Sequence, residues 1–306
     1  MHPDVLPFSP QYPLWSDGAA KRRWIWLPPG TSIDASAPDA WQFPRGHEAV
    51  EAIRARTACS RRVTSNVGAD GAWRFGSYVW NADGTDAVLA PARGVRDLAA
   101  PNAPAPATRF HPRTTAAPAT KAPRCRYWDS ACCNSRRTAI RWRRMPSASR
   151  GAVDLDSLSA RGLLRNLPRD LLSRPPRIAA SSPAERAALG YLHGNCGNCH
   201  NNEGPLAVLE MTLAQRVAAP ANAPSANSVV QSIVGVQSGF RPSGAPRDAA
   251  RIAPGHLGAS VIALRMKSRD PLQQMPPLGT SAVDAEAVAL LARWIDGLST
   301  NQARIS

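Results

Sequence analysis

Three side chains in the C-terminal half of the chain could together hold a prosthetic group. Cys196, Cys199 and His200 form the pattern C-x-x-C-H, in which the two thiols can bond to the two vinyl groups of one porphyrin. The histidine that follows them can then ligate the iron from one face. The pattern therefore predicts one covalently attached haem c, with the Nε2 atom of His200 on the iron. We expect the other ring nitrogen of His200 to donate to a backbone carbonyl.

A C-x-x-C pair also occurs in zinc sites and in redox dithiols. A structural zinc site needs a second pair of ligands, and a thioredoxin-like dithiol follows a β-strand. The residues before Cys196 carry helical signals instead. Ser182 and Glu185 match a capping box, with Pro183 at the first helical position. These features favour haem over both alternatives. The other cysteines lie in two segments of unusual composition: Cys59, Cys125, Cys132 and Cys133.

A second iron ligand is predicted from the loop that contains Met275. The loop reads Asp270-Pro-Leu-Gln-Gln-Met275-Pro-Pro-Leu-Gly279, and its prolines restrict the backbone around the thioether. Ligation by methionine and histidine raises the reduction potential and favours electron transfer. Three other residues remain alternatives as this ligand: Met266, His193 and His256. Met266 follows an apolar run, so we expect it in the core.

A C-terminal helix is predicted to pack against the helix that carries the motif. Ser281 and Asp284 match a second capping box. The residues after them recur at helical spacing on one apolar face: Ala287, Leu290, Leu291, Trp294, Ile295 and Leu298. Small class I cytochromes c pack such a helix across the haem-bearing one, which would bring Trp294 to Tyr191 beside Gly190.

The N-terminal third of the chain has the pattern of a small β-rich domain. Apolar and aromatic runs at 23–27, 40–44 and 73–80 predict strands, and residues 81–84 predict a turn. The chain contains no run of 18 apolar residues, so no transmembrane helix is predicted. Its start lacks both the basic and the apolar regions of a signal peptide, so we expect an export signal to have preceded it or to have been removed.

The net charge of +15 is concentrated in two windows. Residues 109–150 contain eleven Lys or Arg and one acidic residue, and residues 45–62 contain five Arg and two Glu. The rest of the chain has a net charge of only +2. A nucleic-acid partner would need a basic face, and this uneven distribution argues against one.

Four segments resemble a family of bacterial di-haem c-type cytochromes whose members are mostly uncharacterised. These are PLWSDGAAKRRWIWLPPG, SYVWNADGTDAVLAPARG, AALGYLHGNCGNCHNNEGPLAVLEM and LRMKSRDPLQQMPPLGT. The resemblance implies haem attachment at Cys196 and Cys199, ligation by His200 and a second ligand at Met275. It also implies a second C-x-x-C-H motif between the two halves, and this sequence has none there.

The two basic windows interrupt this resemblance, and translation out of frame would account for both. Degenerate codons for residues 115–121, read two bases later, permit Cys-Arg-Ala-Cys-His-Glu-Gly, a haem motif. The same frame gives residues 124–135 codons that permit an apolar run. Codons for residues 45–53, read one base later, permit Val-Gly-Thr-Lys-Leu-Trp-Lys-Gln-Phe, the continuation expected after residues 41–44. We expect single-base changes in the nucleotide sequence to restore both. A disordered linker rich in Arg, Pro and Ala is the alternative.

Together these patterns predict an α+β chain. Residues 1–108 are expected to form the β-rich domain, 109–180 a disordered or out-of-frame linker, and 181–306 an all-α cytochrome c domain. The predicted function is transfer of single electrons between covalent haem and a redox partner protein in the periplasm. Two alternatives remain: a haem-c peroxidase or oxidase, and a non-functional frameshifted product.

Overall fold

The computed structural model of the chain describes residues 4–54, 59–68, 70–81, 83–91, 95–98, 108–110, 152–217 and 227–302. They form a mixed α+β structure with two compact units. The N-terminal unit contains the described residues up to Arg177, and the C-terminal unit contains those from Ile178 onward. Within the described part, no helix combines the length and the hydropathy needed to cross a membrane.

An antiparallel sheet of six strands dominates the N-terminal unit. Its strands, in spatial order, are β1 (Leu6–Phe8), β2 (Ala20–Trp26), β4 (Glu48–Arg54), β5 (Cys59–Val67), β6 (Trp73–Trp80) and β7 (Ala87–Leu89). The strands predicted at 23–27 and 73–80 are confirmed as β2 and β6. The turn predicted after β6 is confirmed by a hydrogen bond from Gly84 N to Asn81 O at 3.1 Å.

The strand predicted at 40–44 is wrong. Only a single antiparallel bridge forms there, between Gln42 and Asp34. Pro44 lacks an N–H group for a ladder, and its carbonyl instead accepts a turn hydrogen bond from His47 N at 3.3 Å. Trp41 nevertheless fills the core, with 1% of its surface exposed.

Two short strand pairs complete the β-structure that is described. The first is parallel, between β3 (Ile33–Asp34) and β10 (Leu164–Arg165). The second is antiparallel, between β8 (Val95–Leu98) and β9 (Thr108–Phe110).

Residues 152–177 fold with the N-terminal unit, although they were predicted as part of the linker 109–180. They contain β10 and two helices, α1 (Leu155–Ala160) and α2 (Arg169–Ser173). Val153 N donates to Pro7 O at 2.7 Å, and Ile33 N donates to Leu163 O at 2.9 Å. These backbone hydrogen bonds join the segment to the start of the chain. Residues 111–151 of the predicted linker lie outside the described residues.

The C-terminal unit is built from helices and irregular chain in its described part. The helices are α3 (Pro183–Cys196), α4 (Ser228–Ile233), α5 (Val261–Lys267) and α6 (Ala285–Gln302). Short 3-10 turns lie at Ala207–Leu209 and Leu257–Ala259. Helix α6 packs against α3 and α5. Its predicted apolar face is buried at every position except the half-buried Leu298.

The start of α6 differs from the predicted capping box. The helix begins at Ala285, and Asp284 rather than Ser281 precedes it. Asp284 Oδ1 accepts from Ala287 N at 3.2 Å, which is the bond that an N-cap residue makes. The carboxylate that was predicted at the third helical position therefore caps the helix itself.

Candidate haem-attachment site

Helix α3 ends in the C-x-x-C-H motif and begins at the predicted cap. Ser182 Oγ accepts from Glu185 N at 3.1 Å, and Pro183 is the first helical residue. The Glu185 carboxylate accepts from Ser181 N at 3.2 Å and from Ser181 Oγ at 2.6 Å. In a standard capping box the carboxylate would accept from the backbone N–H of the cap residue, Ser182. Here it accepts from Ser181, the residue before the cap. Both carboxylate oxygens are satisfied although Glu185 is buried.

The motif continues α3 as one further turn. Cys196 is the last helical residue, and its carbonyl accepts from Cys199 N at 3.1 Å and from His200 N at 2.9 Å. Gly197 lies against neighbouring backbone. A Cβ atom there would be 2.7 Å from His193 O and 3.0 Å from the Cα of Ala214. Only glycine therefore fits between the two cysteines at this position.

Asn201 fixes the peptide groups between the two cysteines. Its buried side chain donates from Nδ2 to Gly197 O at 2.9 Å and to Asn198 O at 3.0 Å. Its Oδ1 accepts from Glu203 N at 3.1 Å. The role of Asn201 was not predicted from the sequence. Its one indication there is an amide side chain directly after a turn-forming motif.

The two thiols of the motif are free and lie at the surface end of α3. Cys196 is half-buried and Cys199 is exposed. Burial raises the pKa of Cys196 to about 12, and the neighbouring Cys199 thiol adds to this rise. Partial burial also raises the pKa of Cys199. The attacking thiol of a redox dithiol has a lowered pKa, and neither thiol has one here.

His200 is buried and held by its backbone. Its carbonyl accepts from Leu213 N at 2.8 Å, and 8% of its surface is exposed. Burial lowers the pKa of its imidazole, and the charges of Arg265 and Arg251 lower it further. The ring is therefore neutral at pH 7, which is the form that binds metals.

The Nδ1 atom of His200 is buried and has no hydrogen-bond partner within the described part of the chain. The backbone carbonyl that we predicted as its acceptor is thus not found among these residues. The main-chain atoms of His200 bond to Cys196 O and Leu213 N, and neither hydrogen bond fixes the orientation of the ring.

Met275 lies in the loop between α5 and α6. It is half-buried, and its backbone N donates to Arg265 O at 3.0 Å. Among the alternative ligands, Met266 is buried on α5 as expected, and His256 is exposed. The Nδ1 atom of His193 accepts from Gln215 N at 3.0 Å. Met275 and Met211 are the methionines in the described part of this unit that lie outside its helices, and both are half-buried.

Two arginines whose charges act on His200 were not predicted from the sequence as residues of the site. Arg251 donates to Leu209 O at 2.7 Å, to Glu210 O at 2.9 Å and to Ser232 O at 2.7 Å. Arg265 donates from Nε to Gln273 O at 2.8 Å. Both charges act on His200. A single Arg within the apolar run of α5 was the only sequence signal for Arg265.

Large apolar side chains are exposed on three segments of this unit. One segment follows the motif, the second contains Phe240, whose ring contacts Arg265, and the third surrounds Met275. The residues, with the exposed fraction of each, are Val208 (81%), Leu209 (45%), Phe240 (39%), Leu272 (84%) and Leu278 (44%). Exposed apolar side chains that form one contiguous patch mark binding surfaces in soluble proteins.

Within the described residues, no group of three or more His, Cys, Asp or Glu side chains is arranged to hold a metal ion. Comparison with models of protein families, with curated proteins and with solved structures finds no match to the chain.

Proposed function

We propose that the C-terminal unit is a cytochrome c domain that carries one covalent haem and transfers single electrons to or from a redox partner protein. The observation that carries the proposal is the position of Cys196, Cys199 and His200 in one turn at the end of a capped, buried helix. The packing of α6 against α3 supports it, because a helix pair of this kind is expected for a small cytochrome c.

The residues of the motif have the chemistry that attachment requires. Both cysteines are free thiols and would hold a haem through thioether bonds to its two vinyl groups. His200 is neutral and its ring is buried, so its Nε2 lone pair is available to an iron atom.

Haem c, when bound, supplies reversible one-electron transfer at its iron. The chain's contribution is to bind and shield it. Leu209 and Val208 follow the motif, Leu272 and Leu278 flank Met275, and all four are exposed. Covering them with an apolar macrocycle would remove their side chains from water, at about 25 cal/mol per Å² of apolar surface. Met275 is the proposed second axial ligand.

Ligation by both His200 and Met275 favours electron transfer over catalysis, because it leaves no open position on the iron for peroxide or oxygen. We expect one haem per chain, since the sequence contains one C-x-x-C-H motif. The family resemblance would add a second haem in an intact relative. We propose the periplasm as its location, because haem c is attached outside the cytoplasm.

The test is expression of the chain behind a secretion signal together with the maturation system for haem c. A haem-stained denaturing gel and a pyridine haemochrome spectrum should give one covalent haem per chain. The variant Cys196→Ala/Cys199→Ala should lose it, and Cys59→Ala, which removes a cysteine outside the motif, should retain it. A wild-type chain without covalent haem would contradict the proposal.

A further inference from the structure

Arg265 connects helix α5 to the loop that contains Met275 through two hydrogen bonds. Its carbonyl accepts from Met275 N at 3.0 Å, and its Nε donates to Gln273 O at 2.8 Å. One residue of a regular helix thus holds the backbone on both sides of Gln274. The first bond would survive any substitution of Arg265, whereas the second depends on its guanidinium group.

The same guanidinium also lies on an aromatic ring. Its Cζ atom is 4.1 Å from the centroid of the Phe240 ring, within the range of a cation–π interaction. The Gln273 side chain accepts from Ser243 N at 2.8 Å. Segment 240–243 and the Met275 loop therefore meet on either side of Arg265. The side chain is half-buried, so these contacts are partly shielded from water.

We propose that Arg265 is a positioning residue for Met275, which holds the loop so that the thioether can reach the haem iron. This inference rests on the proposed function, and it assigns to one side chain the ordering of the second axial ligand. The conformation of a ten-residue loop is entropically costly to fix, and the prolines beside Met275 restrict only its own surroundings.

The reduction potential of a bound haem should report the same contacts. Ligation by methionine raises the potential, so a variant whose loop holds Met275 less firmly should have a lower potential, with dithionite as the source of the electron in the test.

The experiment compares Arg265→Ala, Arg265→Lys and wild type as haem-loaded full-length chains. Lys267→Ala is the matched control, because it removes an exposed cation from the same helix. Two quantities are measured: the upfield-shifted methyl resonance of an iron-bound methionine in the reduced state, and the reduction potential. Both readouts report on the ligand of the iron rather than on the stability of the whole fold.

In Arg265→Ala we expect covalent haem as in wild type, because attachment uses Cys196 and Cys199. The equilibrium constant for binding of Met275 to the iron should fall on the order of tenfold, because one charge-assisted hydrogen bond and one cation–π contact are lost. The potential should fall as well. Arg265→Lys keeps the charge but not the planar contact, so its values should lie between these, and Lys267→Ala should match wild type.

Each result separates this inference from the proposed function. Wild-type methionine ligation and potential in Arg265→Ala would overturn the inference alone. If the wild-type chain carries haem but shows no resonance of an iron-bound methionine, Met275 is not the ligand and this inference is overturned with it. Wild-type chain without covalent haem would overturn the proposed function and the inference. If Arg265→Ala does not load haem, wild-type values in Arg265→Lys for both readouts would overturn the inference.

Discussion

At the scale of single residues, the spacing of a haem motif does not specify the residues between its cysteines, but packing does. The Cα of Gly197 lies so close to His193 O and to Ala214 that a Cβ atom would overlap both. Its neighbour Asn198 is exposed, and no such restriction applies there. The glycine is thus required by the approach of segment 212–215 to the end of α3.

Substitution of Gly197 tests this close approach. We expect Gly197→Ala to lower the free energy of unfolding by about 1–3 kcal/mol, because the backbone of two segments must shift. Gly297→Ala, on the exposed side of α6 with no atom within 4 Å of its added Cβ, should instead raise it by about 0.5–1 kcal/mol. Chemical denaturation followed by circular dichroism gives both values. Equal effects of the two substitutions would contradict the predicted clash.

The proposed site divides into residues that the sequence could indicate and residues that it could not. Cys196, Cys199 and His200 are recognisable because their chemistry is defined by spacing along the chain. Arg265 and Asn201 were missed, since their roles depend on backbone atoms that folding brings to them. A hydrogen bond to a backbone carbonyl has no sequence requirement at the acceptor, so no pattern records it.

At the scale of elements, the N-terminus of α3 is stabilised by two side chains, Ser182 and Glu185, which accept hydrogen bonds much as in a capping box. Ser182 Oγ accepts from Glu185 N, while the Glu185 carboxylate accepts from Ser181. The first turn of the helix is satisfied in this way before the buried face begins at Ala187. The position of the motif, 14 residues from the cap, depends on this helix being formed throughout.

Removal of the cap should destabilise α3 in proportion to the lost hydrogen bond. We expect Ser182→Ala to lower the free energy of unfolding by about 1 kcal/mol. Ser182→Asp keeps a side-chain acceptor and adds a charge that is favourable at a helix N-terminus, so it should match wild type or exceed it. Urea denaturation of the three proteins measures the difference. A loss of the same size in Ser182→Asp would show that the cap is not what the serine supplies.

Elements with a local origin were predicted well, and those with a distant partner were not. Strands β2 and β6 and helices α3 and α6 follow from periodicity and caps within their own sequence. The parallel pair of β3 and β10 joins residues more than 120 positions apart. Each strand has only two residues, too few for a pattern, so this pairing could come only from the structure.

At the scale of the whole molecule, each unit contains a buried histidine with a lowered pKa, and in the N-terminal unit this residue is His47. His47 is fully buried in the N-terminal unit, with its ring centroid 4.8 Å from that of Phe43 and 4.9 Å from that of Trp73. Its Nδ1 donates to Pro44 O at 3.0 Å. Burial lowers the pKa of His47, and the hydrogen bond to Pro44 opposes this in part.

The sign of the effect follows from the direction of this shift. Because the folded unit holds His47 neutral, its stability is complete at pH values above the pKa of an unfolded histidine, about 6.5. Below that pH the unfolded chain binds a proton that the folded unit binds less readily, so stability falls as the pH falls toward the lowered pKa of the folded state.

We therefore expect acid to destabilise the N-terminal unit through His47. In His47→Phe, the unfolding midpoint of this unit should be lower than wild type at pH 7.5, since Pro44 O loses the imidazole donor and keeps only the longer bond from the backbone N of residue 47, but it should fall less between about pH 7 and pH 5. Tryptophan fluorescence, to which Trp73 beside residue 47 contributes, reports this transition in urea.

Helical circular dichroism reports the C-terminal unit, which contains α3 and α6, and its pH dependence should be unchanged by the substitution. The control variant is His256→Phe, which replaces an exposed histidine of the C-terminal unit and should leave the fluorescence transition as in wild type. An equally steep loss of stability in His47→Phe and wild type would show that another group controls the acid sensitivity of the N-terminal unit.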